Sequence, residues 1–508
     1  MNFNLAVIVR ETAMAAPERP AALYEGGKLA YGELDALSDR LAAGLRADGI
    51  NPGDAVALQL PNIPAFLVGY FGILKAGGVV VPLNVLLKAP EVAYHLKDCG
   101  AGMLITWEGA LGDAAKGAAA AGVSRIYSAG GGGGDAPHTA AFERLLAVPA
   151  PGDGVPLAPR LPTDTAVIMY TSGTTGRPKG AELTHLQLYM NADIPGRLFG
   201  VRPDDVVITV LPLFHVFGLS SILNVCVRFG CTMSVIPRFD PRAVLAAVQR
   251  DRATILEGVP AMFISLLSYP RLDDYDVSSL RIAISGGASI PGPVLDAFEK
   301  RFGVLILEGY GLTETASTTT FNISASERRA YSVGKPIWGT QTQVWDEKGN
   351  VLPSGADNVG EVVTRGPHVM KGYLNNPEAT ADAFAGGWFH TGDLGYFDED
   401  GFLFIVGRIK ELIIRGGYNV YPAEIEDVLH DHPAVAEAAV VGIPSERLGE
   451  EVMAVVVRRP GVSLTAPELV AYCKERMASY KYPRVIEFRG ALPRNSLGKV
   501  LKDQLLPR

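Results

Sequence analysis

The sequence predicts an α/β protein: a large N-terminal domain of layered α/β subdomains with a β-barrel-like part, then a small mobile α+β domain. Three observations predict it. The chain has 508 residues, too many for one ordinary core. Strand and helix patterns alternate from the N-terminus onward, as in layered folds with largely parallel sheets. Beyond Arg408 one amphipathic helix and two strand patterns form a separate unit of about a hundred residues, near the usual domain size.

In chain order, Leu34, Leu37, Leu41 and Leu45 recur at helical spacing. Residues 54–60 (DAVALQL) alternate as a strand. Residues 64–76 form a compact apolar helix that Gly77 and Gly78 stop, and three valines at 79–81 begin a strand. Residues 109–160 are rich in Ala and Gly, with five glycines at 130–134 and a Pro/Gly-rich end. They read as a surface loop and linker, and they lack the GxGxxG spacing of a dinucleotide site. Residues 165–170 read as a buried strand. The apolar stretch 219–236 is interrupted by Asn224 and Arg228, so it reads as core rather than a membrane span. Residues 392–408 read as an antiparallel hairpin turning at 398–401. Pro422 opens a helix with acids in its first turn and Ile425, Val428 and Leu429 on one face. Strands at 435–443 and 452–457 follow. The expected division is 1–407, a hinge at 408–411, and 412–508.

Hydrophobic residues make up 48% and charged residues 20%, with a net charge of −8. This fits a globular protein and argues against a polyanion such as nucleic acid as partner. The charge is uneven. From Lys410 onward there are 14 basic and 13 acidic residues, against 32 and 41 before it. The tail is therefore the better surface for an anionic ligand. Cys99, Cys226, Cys231 and Cys473 have no metal-ligand spacing and fit buried thiols in a reducing cytoplasm. The N-terminal residues lack the cationic and apolar parts of a secretion signal.

The densest chemical signal is residues 170–180, YTSGTTGRPKG. Glycine lets backbone N–H groups approach an anion. The hydroxyls of Thr171, Ser172, Thr174 and Thr175 add donors, and Arg177 and Lys179 add charge. This composition cradles phosphate. It is not the P-loop of hydrolysing NTPases, because Pro178 precedes the lysine and Gly180 follows it.

Here the chain resembles the adenylate-forming enzymes: acyl- and aryl-CoA synthetases, peptide-synthetase adenylation domains and beetle luciferases. The resemblance continues in order through LPLFHVFG at 211–218, SGGAS at 285–289, EGYGLTE at 308–314, WFHTGD at 388–393, GRIKE at 407–411, GGYN at 416–419 and PRNSLGK at 493–499. It implies that Thr171, Ser172, Gly173, Thr174, Thr175 and Lys179 meet the phosphates of ATP. Gly287, Ala288, Glu308, Gly309, Tyr310 and Gly311 would meet the nucleotide, with Tyr310 stacked on adenine. Asp393 would accept the ribose hydroxyls, with Arg408 beside it. Thr313 would reach the α-phosphate, and Glu314 would hold Mg²⁺ together with Thr171. Lys499 would bridge the attacking carboxylate and the α-phosphate as charge develops on both.

The resemblance also implies a second half-reaction. The tail would turn about Lys410, withdraw Lys499, and bring Gly416, Gly417, Tyr418 and Lys481 to guide coenzyme A. Arg447 and Arg484 are further candidates for the CoA nucleotide. His215 would line the acyl passage and act in catalysis. Val216, Phe217, Gly218, Val259, Met262 and Gly311 would form the acyl wall, with Gly311 leaving room for a chain. No cation is among them, and Gly309 stands where malonate-type ligases carry arginine, which disfavours dicarboxylic acids. The expected activity is ATP- and Mg²⁺-dependent ligation of a medium- or long-chain fatty acid to CoA. The alternatives are an aryl acid of cinnamate or benzoate type, or a carrier protein as acceptor. A non-catalytic adenylate binder would have lost Glu314 or Lys499. A cytoplasmic monomer or homodimer with no integral membrane part is expected.

Overall fold

The computed structural model describes residues 2–130, 139–149, 154–171, 177–324, 326–495 and 498–506. The N-terminal part is built on two large sheets. One has nine strands, and its centre runs parallel through Ile306–Tyr310, Ile282–Ser285, Ile255–Gly258, Val206–Thr209, Thr232–Val235 and Pro20–Tyr24. The other has eight strands. Its centre comprises Lys179–Thr184, Thr165–Thr171, Val79–Pro82, Ala55–Gln59 and Met103–Trp107. The helix Pro64–Ala76 lies in the core between these sheets, with eleven of its residues buried. It starts with proline at N1, and Gly77 closes it at φ +87°, a conformation that costs glycine nothing. The segment expected to alternate as a strand is Ala55–Gln59, and all five of its residues are buried. Parallel strands are covered on both faces, so they lose the alternation.

Residues 109–149 correct the sequence expectation of a loop and linker. They contain the helix Leu111–Ala121 and the strands Ile126–Ala129 and Thr139–Ala141 at the edge of the eight-stranded sheet. Alanine is the strongest helix former, and Leu111, Ala114 and Ala118 give this helix a buried face. Of the five glycines, only Gly130 lies within the described residues. Residues 219–236 are core, as expected. They run through a π-helix at Phe217–Asn224, the helix Val225–Phe229 and the strand Thr232–Val235.

The part expected to be barrel-like is an antiparallel sheet of four strands: Gln341–Trp345, Gly360–Arg365, Phe389–Phe397 and Leu403–Arg408. The smaller C-terminal domain has its own sheet. Val435–Ser445 pairs antiparallel with Gly449–Arg458, flanked by Ile413–Arg415, Tyr418–Val420 and Val485–Phe488. The helices Pro422–His430 and Ala466–Arg476 cover it, and Ile425, Leu429, Leu469 and Cys473 enter its core. Helix Pro422–His430 also packs on the strand Leu403–Arg408 and the helix Gly292–Phe302 of the larger domain. The two domains thereby enclose a cleft.

Candidate active site

The cleft has a volume of about 1800 Å³ and is lined from both domains. Its phosphate end begins where Thr165–Thr171 pairs with Lys179–Thr184, with Thr171 opposite Lys179. Both of these residues line the cleft. The predicted phosphate contacts Ser172, Gly173, Thr174 and Thr175 lie outside the described residues. Lys179 Nζ stands 5.0 Å from the centroid of the Tyr373 ring. The Tyr373 hydroxyl donates to Glu314 Oε1 at 2.9 Å. Glu314 sits in a 3₁₀ turn, Thr313–Thr315, directly after the strand Ile306–Tyr310.

Two non-glycine residues after that turn, Ala316 at φ +55° and Ser317 at φ +111°, hold strained backbone. Each such residue costs on the order of 1–3 kcal/mol. Asn191 clamps the segment. Its amide donates to the Thr315 and Thr318 carbonyls at 3.3 and 2.9 Å and accepts from Thr318 N–H at 3.0 Å. The strain is thus maintained from a distant helix, and it keeps Thr313 and Glu314 facing the cleft.

Opposite, Tyr310 donates its hydroxyl to Asp393 Oδ2 at 2.7 Å, and Arg408 Nε meets Asp393 Oδ1 at 2.9 Å. Asp393 and Arg408 are cross-strand partners in the four-stranded sheet. Burial pushes the Asp393 carboxyl above the ordinary aspartate range, opposed by Arg408 and Tyr310. Tyr310 has packing of its own although glycine flanks it on both sides. It leans on the cluster of Val333, Val344, Val362 and Leu403.

The flanking glycines serve close approaches. A Cβ on Gly309 would come within 2.5 Å of the Phe321 ring, and one on Gly311 would overlap the Ser317 carbonyl oxygen. This corrects the expectation that Gly311 leaves room for an acyl chain, because backbone already occupies that space. Gly287, at φ +78°, and Ala288 line the cleft as expected.

Glu308 lines the cleft from the same strand and is buried. Burial pushes its carboxyl from 4.5 up to about 8, with Arg328 opposing and Asp427 of the small domain adding to the rise. A carboxyl that holds its proton more tightly when folded gives stability that is full below pH 4.5 and lost by about pH 8. Wild type should therefore lose thermal stability between pH 5 and 8.5, and Glu308→Gln should flatten that fall. Parallel melting curves for the two proteins would discount the shift.

Lys499 enters the cleft from the small domain. Residues 494 and 500 form a β-bridge, and Lys499 N–H donates to Asn495 Oδ1 at 2.9 Å. A Cβ on Gly498 would lie 3.7 Å from both Val259 and Ala261, so the residue before the lysine stands near the acyl wall. Burial, then Arg408, pushes the Lys499 ammonium below its ordinary value, while Glu411 and Asp393 oppose. His215 accepts from Phe217 N–H at 3.2 Å through Nδ1, which leaves Nε2 to carry the proton. Burial, then Lys499, pushes its pKa to about 4. It is therefore a neutral donor at pH 7 rather than a cation.

Of the predicted acyl wall, His215, Val216, Phe217, Val259 and Gly311 line the cleft, whereas Gly218 and Met262 do not. A Cβ on Gly218 would overlap the Pro212 carbonyl oxygen, so this glycine lies under its own loop. Met262 packs between the two cores on either side of the nine-stranded sheet. Sequence reasoning missed Phe199, Phe321, Ser221 and Glu257, all of which line the cleft. Glu257 carried a signal, as an acid inside the apolar strand ILEG. It also missed Asn191 and Tyr373, whose roles depend on tertiary contacts.

The predicted CoA residues stand away from the cleft. Gly416 and Gly417, at φ +59° and +84°, form the two-residue turn joining Ile413–Arg415 to Tyr418–Val420, the geometry that favours glycine. The Tyr418 ring stacks on Tyr480 with centroids 4.6 Å apart. Lys481 pairs with Glu424 at 2.6 Å. The Arg484 guanidinium lies over Tyr482. Lys410, exposed in the 3₁₀ turn Ile409–Glu411, sits where the chain passes between domains.

Among the described residues, no group of three or more His, Cys, Asp or Glu side chains could hold a metal alone. Glu314 and Thr171 both line the cleft and would suit Mg²⁺ as an ion shared with phosphate oxygens, its usual habit. Nor is any helix among the described residues long and apolar enough to cross a membrane.

A two-domain cleft that gathers Thr171, Lys179, Glu314, Asp393, Arg408 and Lys499 fits an adenylate-forming enzyme. Residues 9–374 match the family "AMP-binding enzyme", and residues 424–499 match "AMP-binding enzyme C-terminal domain". The chain belongs to this family. It is 35% identical to a long-chain-fatty-acid–CoA ligase of Bacillus subtilis (strain 168), over 99% of this chain and 94% of that one. It is 39% identical to a feruloyl-CoA synthase of Amycolatopsis sp, over 98% of each. It superposes with TM-score 0.94 on the anthranilate CoA ligase AuaEII in complex with anthranoyl-AMP, at 28% identity over 99% of this chain and 97% of that one.

Proposed function

We propose that this protein joins a monocarboxylic acid to coenzyme A through an acyl-adenylate, releasing pyrophosphate and then AMP. The observation that carries the reading is Lys499, brought by the small domain into a cleft that also holds Glu314, Asp393 and Arg408. In the first half-reaction a carboxylate oxygen attacks the α-phosphorus of ATP and pyrophosphate leaves. Lys499 neutralises charge growing on the carboxylate and the α-phosphate, and Thr313 donates to the latter. Glu314 and Thr171 would hold Mg²⁺ with the phosphates, and the ion would add charge neutralisation there. Asp393 and Arg408 orient the ribose, Tyr310 faces the adenine, and His215 donates from Nε2 at the acyl passage. In the second half-reaction the domain beyond residues 408–411 turns about Lys410, removes Lys499 and presents the Gly416–Gly417 hairpin. The CoA thiol then attacks the acyl carbonyl and AMP departs.

The sequence expectation for the acid, a medium- or long-chain fatty acid, is supported by the Bacillus subtilis relative. An aryl acid is favoured by the lining of the acyl compartment, where Phe199, Phe214, Phe217 and Phe321 supply ring surfaces. The feruloyl and anthranilate relatives point the same way. The test supplies ATP, Mg²⁺ and CoA with octanoate, palmitate, benzoate, cinnamate or malonate, and reads thioester by mass spectrometry and pyrophosphate by a coupled assay. Thioester from an aliphatic or aryl monocarboxylate, none from malonate, and loss of pyrophosphate release on chelating Mg²⁺ are expected. Pyrophosphate release with none of the acids would sink the reading.

A further inference from the structure

Glu257 is an acid in the wall of an apolar compartment. It lies in the strand Ile255–Gly258, is 3% exposed, and lines the cleft. Strand alternation puts its side chain on the face of Ile255, opposite Leu256. Those two neighbours belong to different cores. Its registered partner on the next strand is Ile284, which also lines the cleft. Glu257 Oε2 is buried without a hydrogen-bond partner, and no ion pair reaches the carboxyl among the described residues. Buried carboxyls are normally paired, because an unmet one forfeits its hydration for nothing. Facing the same compartment, Ser221 and Ser317 share a hydrogen bond at 2.8 Å, so they satisfy each other rather than Glu257.

Its position suits the far end of a substrate. Val259, two residues further along the chain, lies near Gly498, the residue before Lys499. Two residues of strand span about 7 Å. An acid whose carboxylate lies at Lys499 and whose body crosses that span reaches Glu257 with its distal atoms.

Resting on the ligase reading above, we propose that Glu257 selects the acid. Its carboxyl pairs with a hydroxyl at the distal end of the substrate, which makes hydroxyaryl carboxylic acids the preferred class. Burial pushes the carboxyl well above the ordinary glutamate range, which favours its protonated form, and a protonated carboxyl both donates and accepts. A hydroxyl does the same and can meet it in both senses. A methoxy group only accepts, and a plain ring or methyl end does neither. A wholly apolar acid leaves the carboxyl dry and unpaired.

Paired acids test this: 4-hydroxycinnamate, 4-methoxycinnamate and cinnamate, then the matching benzoates, with octanoate as the aliphatic control. The readout is kcat/KM for thioester formation by wild type, Glu257→Gln and Glu257→Met. Wild type is expected to prefer the hydroxylated member of the series it turns over by at least about tenfold, because sites built to bind a hydroxyl reject analogues lacking it. The methoxylated acid should side with the unsubstituted one. Glu257→Gln should keep most of the preference and Glu257→Met should bring it close to one. General damage to the fold lowers all the acids together and leaves their ratio alone. A wild-type ratio near one, a ratio that survives in Glu257→Met, or turnover confined to octanoate each overturns the proposal while the ligase function stands. Should Glu257→Met not fold, the wild-type ratios decide alone. Absence of pyrophosphate release with every acid is a failure of the ligase reading instead.

Discussion

Lys499→Ala is expected to slow pyrophosphate release by about 10²–10³-fold, the range for removing one preorganised charge-stabilising donor. Thioester formation from presynthesised acyl-adenylate and CoA should fall by less than about tenfold. The separation follows from geometry. Lys499 enters the cleft from the small domain, with Gly498 near Val259 and Ala261. In the same arrangement the Gly416–Gly417 hairpin lies outside the cleft. In the proposed cycle the two half-reactions would therefore use different faces of one domain. The lysine's ammonium is partly desolvated beside Arg408, with Asp393 and Glu411 holding its proton. Alanine removes a charge that matters most as the carboxylate and phosphate approach, so KM for ATP should move much less than kcat. Rapid-quench measurement of the two half-reactions would decide. Equal losses in both would mean that Lys499 holds the fold together and has no part in adenylation.

Gly311→Ala should be more damaging than its size suggests. The added methyl would overlap the Ser317 carbonyl, and the obstacle is backbone rather than a side chain that could rotate away. The chain between Gly311 and Thr318 must then shift. That segment carries Thr313 and Glu314, and it is already strained at Ala316 and Ser317. Overpacking of this kind costs about 1–3 kcal/mol or more, and a displacement near 1 Å at a reacting group can cost about 10²-fold in rate. A loss of several degrees in Tm together with a fall of about 10² in kcat is expected. A variant with wild-type kcat would show that the two strands separate freely there.

Much of the scaffold was legible because local rules act alone in it. Pro64 opens and Gly77 closes the central helix at the residues that the pattern indicated. Pro422–His430 begins likewise at the proline that the pattern indicated. Residues 109–149 were misread because Ala/Gly-rich sequence suits both a linker and a helix, and only packing distinguishes them. The site was legible as a set of motifs, since Thr171, Lys179, Tyr310, Glu314, Asp393, Arg408 and Lys499 all line one cleft. Gly218 was misplaced because the π-helix brings Phe217 and Ser221 to the cleft and leaves Gly218 beneath Pro212, and Met262 because its place in the helix Pro260–Leu267 packs it on the two cores. Gly311 was misread because a close crossing of two chain segments leaves no mark on sequence. Glu257 needed the strand order, which alone shows that its face looks into the compartment.

The nearness of Gly498 to Val259 and Ala261 would give the proposed reaction a source of fidelity. The wall that the acid presses against would then be the wall beside the lysine. An acid of the wrong shape would move Val259 or Ala261, and the ammonium with them. Such an acid could bind well and still react slowly. Its rejection would appear in kcat, and a survey of affinities alone would mistake a tight-binding impostor for the substrate.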